Sequence, residues 1–473
     1  MILVSRMIKK ILGNIVFKNF SYLTIGTIIA QLISLVTVLK ITSILNPDDY
    51  GLFTFLIAQG MLLLRIGDLG NRNIVIRTIA RDSSHTNDLL VNGAILRVLA
   101  IMALSFIYYI YNYYFGSLSF NNLFLIFVFS LFGCFANLFE LIFHGNQKML
   151  PSAVINLTYS LIWFVIVFFI LDEGISISFI FLLYISITLV KAILYLAFIK
   201  YYKLFKGKVQ NFRVSAKQII KESWPYFAMI LILLPLTSLA NNFLDINSTN
   251  NEIGYFNLSE RLLGPISLVV GMSLSAIFPN LSAMWSNNRS RFYKYLSIGF
   301  GVYMIASMLI CFIFTLFSKE IVILLFPDGY LPAIKVCQMQ VWYLFFTSVD
   351  SMVGVVLGAA NKEKLILRFS IVYFLVCTPV LFFSSKYGAL GISYGYVVSY
   401  GACLIYVWLT FKKSLNIKIK YDLRIWLLAI SLFVISYYLA SGISLFYKLI
   451  ICFTILSLLL PYSFKIYKPL FVK

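Results

Sequence analysis

Apolar residues run along this chain in long blocks, each closed by a cluster of charges, turn residues or Gly/Pro. A helix rises about 1.5 Å per residue, so about 20 apolar residues cross the roughly 30 Å hydrocarbon core of a bilayer. Cutting at the polar clusters predicts fourteen such spans. They lie at approximately 20–44, 50–70, 92–112, 121–143, 151–171, 175–199, 224–244, 254–285, 295–317, 332–358, 364–384, 388–411, 424–441 and 443–463. The expected fold is an all-α integral membrane protein.

Composition strengthens that reading. Of the 473 residues 61% are hydrophobic and 12% charged, against about 45–50% and 25% in an average soluble chain, and the mean hydropathy is +0.93. So few charges cannot coat the two or three soluble domains that this length would otherwise form. The six cysteines all lie in apolar stretches without a CxxC pair. They read as small core residues, with no disulfide framework or metal site. Residues 1–20 show scattered basic groups and no small-residue cleavage site, so no cleaved signal peptide is expected.

A net charge of +21 would suggest nucleic acid in a soluble protein; here it reports topology. Basic loops stay cytoplasmic. With a cytoplasmic amino terminus, and with basic residues near span ends counted to the adjoining face, 29 of the 38 fall inside and five fall outside: Lys40, Lys319, Lys335, Lys386 and Lys448. Four remain in spans: Arg65, Arg97, Lys191 and Arg261. Both ends are therefore expected in the cytoplasm. The basic segment 200–223 reads as a linker resting on anionic head groups. It divides the chain into a six-helix half at 1–199, a second at 224–411, and two further helices with a tail at 412–473.

The halves echo each other. Asn46-Pro47-Asp48-Asp49-Tyr50-Gly51-Leu52-Phe53 opens the first, and Asn250-Asn251-Glu252-Ile253-Gly254-Tyr255-Phe256 recurs in the second. Parallel pseudo-repeats of this kind are a known transporter plan. These residues, with Asp68-Leu69-Gly70, Arg77-Thr78-Ile79-Ala80-Arg81 and Phe278-Pro279-Asn280-Leu281-Ser282, resemble the signature of Wzx-type polysaccharide flippases. So do Leu325-Phe326-Pro327-Asp328-Gly329-Tyr330 and Lys386-Tyr387-Gly388-Ala389-Leu390-Gly391-Ile392. That family belongs to the multidrug/oligosaccharidyl-lipid/polysaccharide (MOP) superfamily. The resemblance implies a bacterial inner-membrane transporter that flips an undecaprenyl-pyrophosphate-linked glycan of O-antigen, capsule or a related pathway. It implies no cofactor beyond a proton or sodium gradient, membrane lipids and a pathway polymerase or chain-length regulator as partners, no nucleic acid, and a monomeric working unit. Where many relatives carry an acidic residue in the seventh span, this chain has Ala240-Asn241-Asn242, with Asp245 nearer the loop.

Ionisable groups within spans cost several kcal/mol unless they face a cavity or a partner, so each is a candidate. Arg65, Asp68 and Arg72 share one helical face and suit either an Arg–Asp–Arg network or a lining for an anionic head group. Arg65, Arg261 and Lys191 are the expected pyrophosphate-binding cations, and Arg97 is expected at the interface. Asp68, Glu140, Glu260, Asp350 and His144 are candidates for ion coupling or charge pairing, with Arg65 or Lys191 as partner to Glu140, and Asp350 or Glu140 as partner to Arg261. Gln31, Asn137 and Asn257 are candidate glycan contacts; His85 reads as a loop residue. Pro235, Pro265, Pro279 and Pro379 should kink their spans. Two other classes fit less well. A small-molecule efflux antiporter of the same superfamily would favour an acidic or apolar cavity for cations. A membrane glycan polymerase or acyltransferase would need catalytic groups gathered at one face.

Overall fold

The computed structural model describes residues 15–116, 118–415, 422–455 and 457. All regular structure among them is helical. Contacts divide the chain into two compact units, 1–241 and 242–473.

The first unit begins with α1 (Ile15–Ile44), α2 (Pro47–Gly67), the short α3 (Arg72–Arg81) and α4 (Thr86–Phe115). It continues with α5 (Phe120–Gly145), α6 (Met149–Phe169), α7 (Ile177–Tyr201) and α8 (Phe212–Thr237). Here α1 packs on α6, while α5 packs on α7, α4, α2 and α3. The start of α2 explains the first motif. Asn46 accepts a hydrogen bond from the Asp49 N–H at 2.8 Å, Pro47 opens the helix, and Asp48 and Asp49 sit in its first turn. This satisfies an orphan donor and sets negative charge at the positive end of the helix dipole. In α3, Ile74, Val75 and Ile79 turn inward while Arg72, Arg77 and Arg81 are exposed, an amphipathic helix that hydropathy alone does not reveal.

The expected linker is tied to the protein. Gly207, in the left-handed region at φ 81°, brings its backbone against Ser84, where a Cβ would collide with the Ser84 carbonyl. Asn87 donates to the Gly207 carbonyl at 2.7 Å and Asn92 to the Gln210 carbonyl at 3.0 Å. Asp88 accepts from the Gln210 N–H at 2.8 Å and the Ser215 hydroxyl at 2.7 Å. The segment is thus bound to the start of α4. Beyond it, α8 packs on α2, α3 and α4, so the helix expected to open the second half groups with the first unit.

Helix α9 (Ala240–Asn247) lies across the division. The second unit then contains α10 (Asn250–Asn287), α11 (Arg289–Leu325), α12 (Ala333–Ala359), α13 (Glu363–Ser384), α14 (Gly388–Leu415), α15 (Asp422–Gly442) and α16 (Leu445–Ile455). Its centre is α12, packed by α10, α11 and α14. Two sequence motifs meet here: Glu252 accepts from the Ala389 N–H at 2.6 Å, capping α14 just after Gly388, whose φ of 71° suits glycine. Helices α10 and α11 have 38 and 37 residues, about 55 Å each, so both outrun the bilayer thickness and the spans expected at 254–285 and 295–317. The rest of the last span, the carboxyl-terminal tail and the first fourteen residues lie outside the described residues.

Candidate functional site

Seen from the sequence, 224–244 is one uninterrupted span. The backbone instead leaves the helix at Ser238 and Leu239 and re-enters it at Ala240. Pro235 cannot donate to the carbonyl four residues earlier, which weakens the last turn of α8. The apolar part of α8 starts near Ser223, so roughly 22 Å of helix precede the break, less than the about 30 Å needed to cross. Irregular backbone at such depth is tolerated only where protein or a wet cavity covers it, and discontinuous helices are where transporters bind substrates and ions.

Arg65 reaches this break. Its Nη1 donates to the Ser238 hydroxyl at 3.0 Å, and the side chain is otherwise exposed. Its expected partner is engaged elsewhere. The carboxylate of Asp68 pairs with Arg97, which also donates to the Asn71 side chain. Arg97 is 1% exposed: it is a buried structural cation and not an interfacial residue. Of the expected Arg65–Asp68–Arg72 network, Arg72 still acts on Asp68 through its charge and its backbone N–H, while Arg65 turns to Ser238. A sequence search for partners at helical spacing could not find it, because Arg97 comes from α4. The turn between α2 and α3 that carries these groups needs Leu69 and Gly70 at positive φ. A Cβ on Gly70 would meet the Phe227 backbone nitrogen at 2.5 Å, so glycine also sets how closely α8 approaches.

A second polar group lies between α5, α6 and α7. Asn156 donates to Glu140 Oε1 at 3.0 Å, and His144 Nε2 stands 3.8 Å from the same oxygen. Lys191 interacts electrostatically with Glu140 while its Nζ sits 5.0 Å from the centre of the Tyr159 ring. Tyr195, fully buried, lies beside this group, and its hydroxyl has no hydrogen-bond partner among the described residues. Of the partners expected for Glu140, Lys191 is present. Gln31 is half-buried on α1 and Asn137 is exposed on α5. In the loop after α3, the Ser84 N–H and hydroxyl bond to Asp82 at 2.9 and 2.8 Å and hold its carboxyl below the usual range; half-buried His85 lies 3.8 Å away.

In the second unit, Glu260 opens onto a cavity of about 410 Å³ with Phe256 and Ser267 of α10, Gln340, Tyr343 and Thr347 of α12, and Tyr396 of α14. Tyr343 lies against Tyr396 with ring centres 4.4 Å apart and planes tilted by 34°, and it meets Tyr400 at 5.0 Å, while Tyr400 meets Tyr373 at 4.6 Å. This aromatic row ends where the Tyr373 hydroxyl donates to Asp350 at 3.0 Å. Arg261 is exposed and acts on the neighbouring Glu260 rather than on Asp350. Asn257 is buried and donates to the Ile253 carbonyl of its own helix. Sequence reading missed the cavity tyrosines among 31 of that type; the usable signal was Gln340, Tyr343, Thr347 and Asp350 recurring at helical spacing.

No curated protein sequence matches the chain. A family model described as "Polysaccharide biosynthesis protein" matches residues 16–285. Among solved structures, the chain is similar to the lipid II flippase MurJ in an inward closed conformation. The TM-score is 0.71 and the identity 18%, over 95% of this chain and 99% of that one. It is also similar to a multidrug resistance MATE family transporter of the MOP superfamily in an inward-facing conformation. There the TM-score is 0.61 and the identity 16%, over 82% of this chain and 95% of that one. A third is the MATE transporter VcmN of Vibrio cholerae, with TM-score 0.57 and 15% identity over 84% and 97%. These similarities carry the fold, and the family match spans more than half of the sequence. The chain belongs to the polysaccharide biosynthesis protein family, with the all-helical fold of MOP-superfamily transporters.

Proposed function

We propose that this protein flips an oligosaccharide carried on polyprenyl pyrophosphate from the cytoplasmic to the outer leaflet of a bacterial inner membrane. It works by alternating access driven by a proton or sodium gradient, without a covalent step. The observation that carries this reading is Arg65. It is an accessible guanidinium beside a helix break in the membrane, and the only carboxylate on its helical turn is neutralised by Arg97. A pyrophosphate brings two to three negative charges, and a guanidinium fork meets phosphate oxygens two at a time. Arg261 supplies a second exposed cation from the other unit. Glu140, bonded by Asn156 and flanked by His144 and Lys191, is the group that takes up the driving ion.

Arg65→Ala with Arg261→Ala should lower glycan export in cells at least tenfold while membrane levels of the protein stay unchanged. Arg65→Lys, which keeps the charge without the fork, should fall between. Full export by the double variant would overturn the assignment. The Glu260 cavity supports a second reading, efflux of a cationic aromatic compound, since a carboxylate among tyrosine faces attracts cations. A drug-susceptibility panel in which Glu260→Gln sensitises cells, with glycan export intact, would favour it.

A further inference from the structure

The charge sorting that sets topology leaves only five lysines for the outside, and two of them line one cavity. Lys319, near the end of α11, and Lys335, in the first turn of α12, open onto about 800 Å³ together with Tyr255, Tyr387, Tyr437 and Tyr438. All six lie at the ends of helices that the lysine and arginine distribution assigns to the outer face. Both lysines are exposed, and among the described residues neither is ion-paired.

The nearby acids do not cancel them. Glu320 is held by the buried Lys448, at 2.7 and 3.0 Å. Glu252, on the cavity wall, keeps its charge but has one oxygen turned to the Ala389 N–H, so the two lysines leave the wall net positive. Tyr437 and Tyr255 are fixed by hydrogen bonds, the first with the Tyr394 hydroxyl at 2.7 Å, the second to the Gly329 carbonyl at 3.3 Å. Their rings are therefore held in position as faces. The cavity wall is largely apolar, with Leu331, Pro332, Ile334 and Leu390, but it carries charge as well. It combines two lysine charges for an anion with flat aromatic surfaces and the Gln338 amide oxygen for hydroxylated rings, the amide nitrogen being bonded to the Ser318 hydroxyl at 2.9 Å, and its size is in the range that encloses a small ligand.

We propose that this cavity is a binding site for an acidic saccharide, a short run of sugar rings bearing carboxylate or phosphate, at the outer end of the second unit. Lys319 and Lys335 bind the anion, and the tyrosines stack on the ring faces that expose C–H groups. The site extends the transport reading by holding the glycan on the releasing side, yet it is read by binding alone, so either can fail without the other.

The test uses the full-length protein in neutral-lipid nanodiscs. The probe is a tetrasaccharide of alternating glucuronate and N-acetylglucosamine, followed by calorimetry. Wild type should bind it more than tenfold tighter than maltotetraose, and several-fold more weakly in 500 than in 50 mM NaCl. Lys319→Gln with Lys335→Gln should lose at least tenfold in affinity at an unchanged melting temperature, and the Lys→Arg pair should keep it. Arg65→Ala with Arg261→Ala should bind as wild type. The proposal is overturned if the Gln pair binds normally or if maltotetraose binds equally well. It is also overturned if the Arg65/Arg261 variant loses binding, which would move the saccharide to the transport path. Abolition of binding by nanodiscs containing phosphatidylglycerol would identify a lipid head-group site instead, and would equally overturn it.

Discussion

Removing the Arg97 guanidinium leaves the Asp68 carboxylate and the Asn71 amide oxygen without their partner, at a site where Arg97 and Asn71 have almost no access to solvent. Breaking a buried pair in this way costs about 3–5 kcal/mol. Arg97→Ala should therefore lower the melting temperature and membrane level of the protein strongly, and Arg97→Leu with Asp68→Leu should recover much of the loss. Equal damage by both would show that the charges do more than hold the turn. The exposed pair of Arg77 and Glu222, although 2.6 Å long, should contribute only about 0–1 kcal/mol. Sequence alone singled out Arg65 and Asp68, because charge in an apolar run stands out. It could not say which of them was already neutralised, since the partner arrives from a helix whose register is fixed only by packing. The same limit hid the tyrosine row. Tyr343, Tyr396, Tyr400 and Tyr373 come from three helices and form a path only when α12, α13 and α14 pack.

Among the elements, apolar length was a faithful guide where a helix stays in the membrane and failed where it leaves. The spans expected at 332–358 and 364–384 reappear almost residue for residue as α12 and α13, and that at 254–285 nearly so as α10, whereas α11 begins six residues before its expected apolar block and ends eight beyond it. Hydropathy reports where lipid is, not where backbone hydrogen bonding stops. The break after α8 shows the converse, because Leu236 to Leu244 remain apolar enough to read straight through Ser238 and Leu239. The 200–223 segment was legible as basic but not as docked. Its attachment depends on Asp88, which also accepts from the Asn92 amide at 2.7 Å. Hydrogen bonds to a charged group contribute about 1.5–3 kcal/mol each. Asp88→Ala should accordingly speed tryptic cleavage after Lys203, Lys206 and Lys208 by more than tenfold. Cleavage at the wild-type rate would mean that other contacts hold the segment.

For the whole molecule, the docked segment and α8 together imply an order of assembly. Everything that seals the first unit, from the α2–α3 turn against Phe227 to the bonds from Asp88 to Gln210 and Ser215, is encoded before residue 242. Ribosomes add about 5–20 residues per second, so the first unit has at least roughly ten seconds in the membrane before the rest of the chain is made. A cut in the loop at Ser248 and Thr249 should thus yield an amino-terminal fragment, 1–248, that accumulates on its own and resists trypsin at the docked segment. Rapid degradation of that fragment would show instead that it needs the later helices. A segment that looks like a tether between halves is, by this account, the clasp that completes the first unit during synthesis. A substitution at Gly207, where a Cβ would collide with the Ser84 carbonyl, should therefore lower yield before it lowers transport.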